Sequence, residues 1–184
     1  GYKGPGFVEH DLREKAAAAG IELPPFQTEF LESKNWLKEN VIKFAPVEVE
    51  DFIIYGIHEK DIPPSDKVTL RIYAATAFGS EHQTTKSCLR AISHLNRLGA
   101  AHRNILDMGT GSGILALAAA KLWPDAARIT AVDIDPEAVA VTRQNARDNH
   151  LEKYLTVAVS NGYNSDLVQN NAPYDIIIAN ILAR

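Results

Sequence analysis

The 184-residue sequence predicts an α/β fold, a parallel sheet wrapped by helices, and three observations predict it. From Asn104 onward, short apolar segments rich in β-branched residues alternate with helical ones, the pattern of strand–helix–strand units whose strands run parallel. The turn Gly109-Thr110-Gly111-Ser112-Gly113 joins the first strand of that series to its first helix. Glycines at such a turn let the backbone bend sharply and let a ligand approach without meeting a Cβ. Third, Asp133 ends the next strand, at roughly the 20-residue spacing where an acidic side chain accepts hydrogen bonds from ribose hydroxyls.

Taken in chain order, residues 9–19 are rich in Ala, Glu, Lys and Arg, strong helix formers, and Gly20 follows as a C-terminal cap. Pro24-Pro25 breaks the chain. A helix is predicted over 33–44, with Trp36, Leu37, Val41 and Phe44 at helical spacing. Strands are predicted over 47–57 and 67–74, separated by the turn cluster Pro63-Pro64-Ser65-Asp66, as a hairpin-like segment. A helix over 84–98 carries Cys88, Leu89, Ile92 and Leu95 on one face. Then come a buried strand at Asn104–Met108, the apolar helix Ile114–Leu122 stopped by Pro124, a strand at 128–132 and a helix over 136–149. Pro136 takes the first position of that helix and Asp135 its N-cap. Strands at 154–159 and 174–179 complete the series.

Composition narrows the function classes. Hydrophobic residues at 46% and charged residues at 23% are ordinary globular usage, which excludes collagen, coiled coil and wholesale disorder. A net charge of −4 argues against a nucleic-acid partner held by bulk electrostatics. One cysteine, Cys88, leaves no disulfide framework and no thiolate metal site, so no metal is expected. No apolar run approaches the roughly 20 residues that span a bilayer, and no secretory start is present, so the expectation is a cytoplasmic protein without membrane contact. Gly1 in place of Met, and an apolar run close to Arg184 that would leave a sheet edge unpaired, are expected of a piece of a longer protein.

Three features carry chemistry. The first strand, the Gly-rich turn and Asp133 together favour a ligand containing a nucleoside over a plain tight turn or a helix cap. A dinucleotide site would have G-x-G-x-x-G, but Ile114 stands at the third glycine position, and the pattern present is G-x-G-x-G. That pattern resembles motif I of class I S-adenosylmethionine-dependent methyltransferases, a cofactor with no pyrophosphate to seat at a helix N-terminus. Asp107, at the end of the first strand, is then expected near the cofactor's amino-acid part. The third feature is Asn180, at the carboxyl end of the apolar strand 174–179, where open α/β sheets bind ligands. Its amide offers donors and an acceptor to a cofactor or a substrate amine.

Beyond motif I the sequence resembles one family, the bacterial methyltransferases of ribosomal protein L11, from about residue 31 to 183. The family's Ala-Phe-Gly-Thr-Gly-x-His-x-Thr-Thr stretch is matched by Ala77-Phe78-Gly79-Ser80-Glu81-His82-Gln83-Thr84-Thr85. Its Asp-x-Gly-x-Gly-Ser-Gly-Ile-Leu-Ala is matched by Asp107 to Ala116, its Val-Asp-Ile-Asp-Pro by Val132 to Pro136, and its Ala-Asn-Ile-Leu-Ala by Ala179 to Ala183. Lys34-Asn35-Trp36 stands where the family has Asp-Trp in the helix joining two domains.

The resemblance implies a Rossmann-like class I methyltransferase sheet, with the first four of seven strands present. It implies cofactor contacts at Thr85, Gly109, Asp133 and Asn180, to which the motif I reading adds Asp107 and Gly111, with S-adenosylmethionine as cofactor and ribosomal protein L11 as the substrate, methylated on lysine side chains and its N-terminal amine. Residues 1–45 are then the remnant of an N-terminal substrate-recognition domain with its linker helix, and 46–184 the methyltransferase domain, acting as a monomer without direct nucleic-acid contact. No catalytic residue is assigned, His82 being read as a solvated loop side chain. Two departures stand out: the Phe-Gly stretch lacks the Gly expected after Ser80, and three family strands are absent. Alternatives are a class I methyltransferase for another protein or a small amine, a dinucleotide-dependent oxidoreductase, and a non-catalytic ribosomal-protein or RNA-binding module.

Overall fold

The structure, a computed structural model, describes residues 9–25, 44–73, 83–99, 102–126 and 128–181. The Phe-Gly stretch up to His82, Trp36 and the helix expected around it up to residue 43 lie outside the described residues. The chain divides into two compact units, 1–35 and 36–184. In the first, helix α1 (Glu9–Ala18) ends as its sequence predicts: Gly20 takes φ 69, its N–H donates to the carbonyl of Ala17, and the Ile21 N–H donates back to Ala16. Such a cap satisfies carbonyls the last turn would otherwise leave open.

The second unit begins with a three-stranded sheet of order β1-β2-β3: β1 (Val47–Val49), β2 (Phe52–Gly56) and β3 (Val68–Ile72). Here the sequence reading needs two corrections. The single strand expected over 47–57 folds back on itself at Glu50, which takes φ 48, so that Val49 pairs with Phe52 across an antiparallel turn. Strand periodicity explains the fold-back. In one straight strand Val49 and Phe52 would face opposite sides, whereas paired across a turn both reach the core, where they are buried. The second correction concerns pairing. β2 and β3 run parallel, from Phe52↔Val68 to Gly56↔Ile72, so the hairpin lies inside 47–57 and not between 47–57 and 67–74. The crossover between β2 and β3 is held by Arg71, whose Nη2 donates to the carbonyls of Ile57 (3.3 Å) and Glu59 (3.2 Å), and by an ion pair between Lys67 and Glu48.

Helix α2 (Gln83–Arg97) buries Leu89 and Ile92, with Cys88 and Leu95 packed part-buried against the same core. There follow β4 (Asn104–Met108), α3 (Ile114–Leu122), β5 (Arg128–Asp133), α4 (Pro136–Asp148), β6 (Leu155–Val159), α5 (Asp166–Asn170) and β7 (Ile176–Ala179). Up to Ala120, α3 is apolar on every side, as a helix must be where it is covered all round, and Lys121 in its last turn is exposed. Ile114 through Ala120 are all buried, and α3 packs on α2, β3, β4 and β5. α5 was not predicted, being barely more than one turn; Ser165 caps it, its Oγ accepting from the Val168 N–H.

The four strands β4 to β7 form a parallel sheet of order β6-β5-β4-β7. The chain therefore steps outward from β4 through β5 to β6, then returns to the other side of β4 for β7. Such a reversal opens a crevice at the carboxyl ends of the two strands that flank it, β4 and β7, and in open α/β sheets ligands bind there.

Candidate functional site

The site is built on the register of three adjacent strands. Met108, the last residue of β4, pairs with Val132 of β5 on one side and Ala179 of β7 on the other. The residues that follow each of these, Gly109, Asp133 and Asn180, therefore stand at one level across neighbouring strands. At about 4.8 Å between strands, they lie side by side along the mouth of the crevice.

The Gly-rich turn is fixed from both directions. The N–H groups of Gly109 and Thr110 both donate to the Val132 carbonyl, at 2.8 and 2.9 Å. The Gly111 N–H donates to Asp133 Oδ2 at 2.9 Å, and the Asp135 N–H to Asp133 Oδ1 at 3.0 Å. Asp133 is thus oriented by backbone, one bond to each oxygen, and each oxygen keeps a further lone pair. Beneath the turn, Asp107 is 1% exposed. Its Oδ2 accepts from the Thr110 hydroxyl at 2.7 Å and from the Ala116 N–H at 3.2 Å. This supplies an anion to the first turn of α3, which starts at Gly113 without a side-chain cap. Burial nevertheless pushes the Asp107 carboxyl up to about 6, against the pull of those two hydrogen bonds. Asp107 is therefore a support under the turn, closed to solvent, while Asp133 is only half-buried at its rim.

Two glycines are required for different reasons. Gly109 (φ 72) has Ile181 directly against it, so that a Cβ there would sit 2.1 Å from Ile181 Cγ2. Gly111 (φ 56) meets nothing within 4 Å where its Cβ would be; that face is open space.

On the β7 side, Asn180 Nδ2 donates to Thr85 Oγ1 at 3.0 Å. Thr85, in the first turn of α2, is buried, so this bond ties the start of α2 to the end of β7. Thr85→Val keeps the shape and deletes the acceptor. It should lower stability by about 1–2 kcal/mol, read as a shifted urea midpoint, and an unchanged midpoint would mean the bond contributes nothing.

Sequence reasoning missed four residues here. Thr110 sits in the turn itself and bonds to Asp107. Ile181 follows Asn180 and covers Gly109. Thr142 Oγ1 donates to the Gly111 carbonyl at 2.9 Å and Asn145 Nδ2 to the Ser112 carbonyl at 2.7 Å, both from α4. The available signal for the last two was polar side chains one turn apart on the apolar face of a helix.

A parallel sheet that reverses at β4, a Gly-rich turn after β4 and an acid ending β5 define a Rossmann-like α/β domain of the class I methyltransferase type. Comparison with known proteins narrows this. The family model for ribosomal protein L11 methyltransferase (PrmA) matches residues 9–184. A ribosomal protein L11 methyltransferase of Rhizobium meliloti (strain 1021) is 40% identical over 180 residues, covering 96% of this chain and 61% of the relative. One from Agrobacterium fabrum is 35% identical over 182 residues, covering 96% and 61%. Among solved structures, ribosomal protein L11 methylase from Lactobacillus delbrueckii subsp. bulgaricus superposes with a TM-score of 0.59 at 32% identity, covering 76% of this chain and 68% of that one.

The chain belongs to the ribosomal protein L11 methyltransferase family. It spans 61% of the length of the Rhizobium relative.

Proposed function

We propose that the protein is an S-adenosylmethionine-dependent protein methyltransferase that transfers methyl groups to lysine side chains and the N-terminal amine of ribosomal protein L11. The observation that carries the reading is the level alignment of Gly109, Asp133 and Asn180 across β5, β4 and β7, in a chain of this family.

The residues present suit the cofactor. Asp133 has lone pairs free for two ribose hydroxyls at the rim, and Gly111 leaves open space above the turn. Gly109 offers a surface without a side chain of its own, with Ile181 as the group that must yield for close approach. Asp107 holds the turn from beneath and supplies negative charge under the amino-acid end. Thr85 and Asn180 form the far wall.

When bound, the cofactor supplies a methyl group already activated on a sulfonium, so the protein's share is mostly positioning. A lysine amine, with a pKa of about 10.4, or an α-amino group, of about 8, must lose its proton before its lone pair can attack. With Nδ2 committed to Thr85, the Asn180 carbonyl oxygen is the atom left to accept an N–H of the incoming amine and aim that lone pair. In this reading residues 46–184 form the methyl-transferring domain, and 1–45 belong to substrate recognition and the linker. The protein works in the cytoplasm as a monomer and makes no direct contact with nucleic acid. Among the described residues no helix is long and apolar enough to cross a membrane.

Gly111→Ala tests the open face of the turn. The strain of a side chain at that φ costs about 1–2 kcal/mol, but the methyl enters the proposed ligand space. Cofactor affinity measured by calorimetry should fall by roughly tenfold or more, out of proportion to the modest loss of stability. For the activity itself, the protein is incubated with radiolabelled S-adenosylmethionine and dissociated ribosomal proteins. Label on the L11 band is expected, label on another protein would redirect the substrate assignment, and no label on any band would overturn the reading.

A further inference from the structure

Two asparagines one turn apart, Asn145 in α4 and Asn149 at its end, are buried at 0% and 6% exposure. Polar side chains so deep must have partners, and these have an unusual set. The Asn145 amide makes a reciprocal pair with the backbone of Tyr73: the Tyr73 N–H donates to Oδ1 at 2.7 Å, and Nδ2 donates to the Tyr73 carbonyl at 3.2 Å. Asn149 repeats this two residues earlier, taking the Arg71 N–H at 2.9 Å and giving to the Arg71 carbonyl at 2.6 Å.

The match is geometric. Four helical residues rise about 6 Å, and two strand residues about 6.6 Å, so side-chain amides at i and i+4 meet the outward-facing groups of alternate strand residues. β3 lies at the edge of its sheet, and the two amides take the place of a neighbouring strand along that edge.

The two asparagines differ in where their second N–H goes. In Asn149 it returns to its own helix, to the Asn145 carbonyl at 2.8 Å. In Asn145 it reaches the Ser112 carbonyl, inside the Gly-rich turn, at 2.7 Å.

We infer that Asn145 is a positioning residue of the cofactor site, its single amide locking the Gly111–Gly113 turn to the edge of β3, while Asn149 serves the same edge without reaching the turn. The inference rests on the cofactor reading of that turn. Asn145 touches no ligand in this arrangement; it sets the orientation of the peptide units that line the ligand space, and its burial leaves no water to replace the bond.

The pair supplies its own matched control. Asn145→Asp and Asn149→Asp keep the side-chain size and the acceptor facing the backbone N–H of Tyr73 or Arg71, each replaces the amide donor that served two carbonyls, and each adds the same formal charge. Lost hydrogen bonds are therefore equal in number, and one of the four, the bond to Ser112, lies in the turn. Affinity for S-adenosylhomocysteine is titrated in the wild-type protein and both variants, alongside thermal unfolding. The inference expects both variants to lose stability, N145D to bind roughly tenfold or more weakly, and N149D to stay within about twofold of wild type. Should N145D fail to fold, Asn145→Ser and Asn149→Ser are compared in the same titration, since a serine hydroxyl is too short to reach Ser112. Equal loss of affinity in the two variants, or wild-type affinity in the Asn145 variant, would overturn the inference alone. No binding by the wild type would overturn the cofactor reading and this inference with it.

Discussion

Asp133→Ala should weaken binding of S-adenosylmethionine or its demethylated product by roughly 10²–10⁴-fold while leaving the protein folded. Two ribose hydroxyls donating to a carboxylate make charge-assisted bonds worth about 1.5–3 kcal/mol each, and both are lost together. The structural cost is smaller, because the two groups that Asp133 accepts from, the N–H groups of Gly111 and Asp135, are near the surface, where water can replace the carboxylate. Asp133→Asn separates the contributions. Its one oxygen can still serve a backbone N–H and one hydroxyl, but its NH₂ opposes a second backbone donor, so an intermediate loss is expected. Calorimetric titration with circular dichroism on the same samples reads both effects. Unchanged affinity in the alanine variant would remove Asp133 from the site and take the ribose assignment with it.

What could be read from the sequence was what is encoded locally. The strands at 104–108, 128–133, 155–159 and 176–179 announce themselves by short apolar runs, and Gly109, Gly111 and Asp133 by turn chemistry and spacing, so the sheet and the crevice's first residues followed directly. Pairing across long separations did not. Only Asp51 in 47–57 favours the turn, since Glu50 beside it adopts a left-handed conformation that glycine or asparagine usually signals. The parallel pairing of β2 with β3 depends on the path of 57–67, whose start the Arg71 side chain holds, and the turn cluster Pro63-Pro64-Ser65-Asp66 does not by itself say whether the next strand returns parallel or antiparallel.

The inner layer of the site was hidden for a related reason. Thr142 and Asn145 share the apolar face of α4 with Val139 and Ala146, but a polar residue on such a face does not say in sequence which backbone it will bond. Only the packing of α4 against β3 and the Gly-rich turn commits the Thr142 hydroxyl and the amides of Asn145 and Asn149. Asp107 was legible as a conspicuous acid ending a strand, but its burial and its position under α3 were not.

That burial leads to a second large effect, a gain in stability from removing a charge. The Asp107 carboxyl stands at about 6 in the folded protein against 3.8 for the unperturbed group. Its folded value lies above its unfolded one, so the folded state holds the proton more tightly. Below about pH 4 both states are protonated and the group is neutral to stability. As pH rises from about 4 to 6, the unfolded chain ionises first and stability falls, reaching a deficit of about 3 kcal/mol that persists at neutral pH. Asp107→Asn removes the titration while keeping an oxygen to accept from Thr110 and Ala116. It should therefore be more stable than wild type at pH 7.5, by about 1–3 kcal/mol after allowing for weaker capping of α3, and no more stable near pH 4. The same variant should bind the cofactor more weakly, since an uncharged amide under the turn no longer attracts the cofactor's ammonium group. On the proposed reading Asp107 destabilises the fold where it serves the ligand, a conflict expected at functional sites. Urea unfolding at pH 4.5 and 7.5 with both proteins decides it: parallel pH dependence in the two would mean that Asp107 does not titrate in this range, and higher stability at pH 7.5 with undiminished affinity would leave its charge without a role in binding.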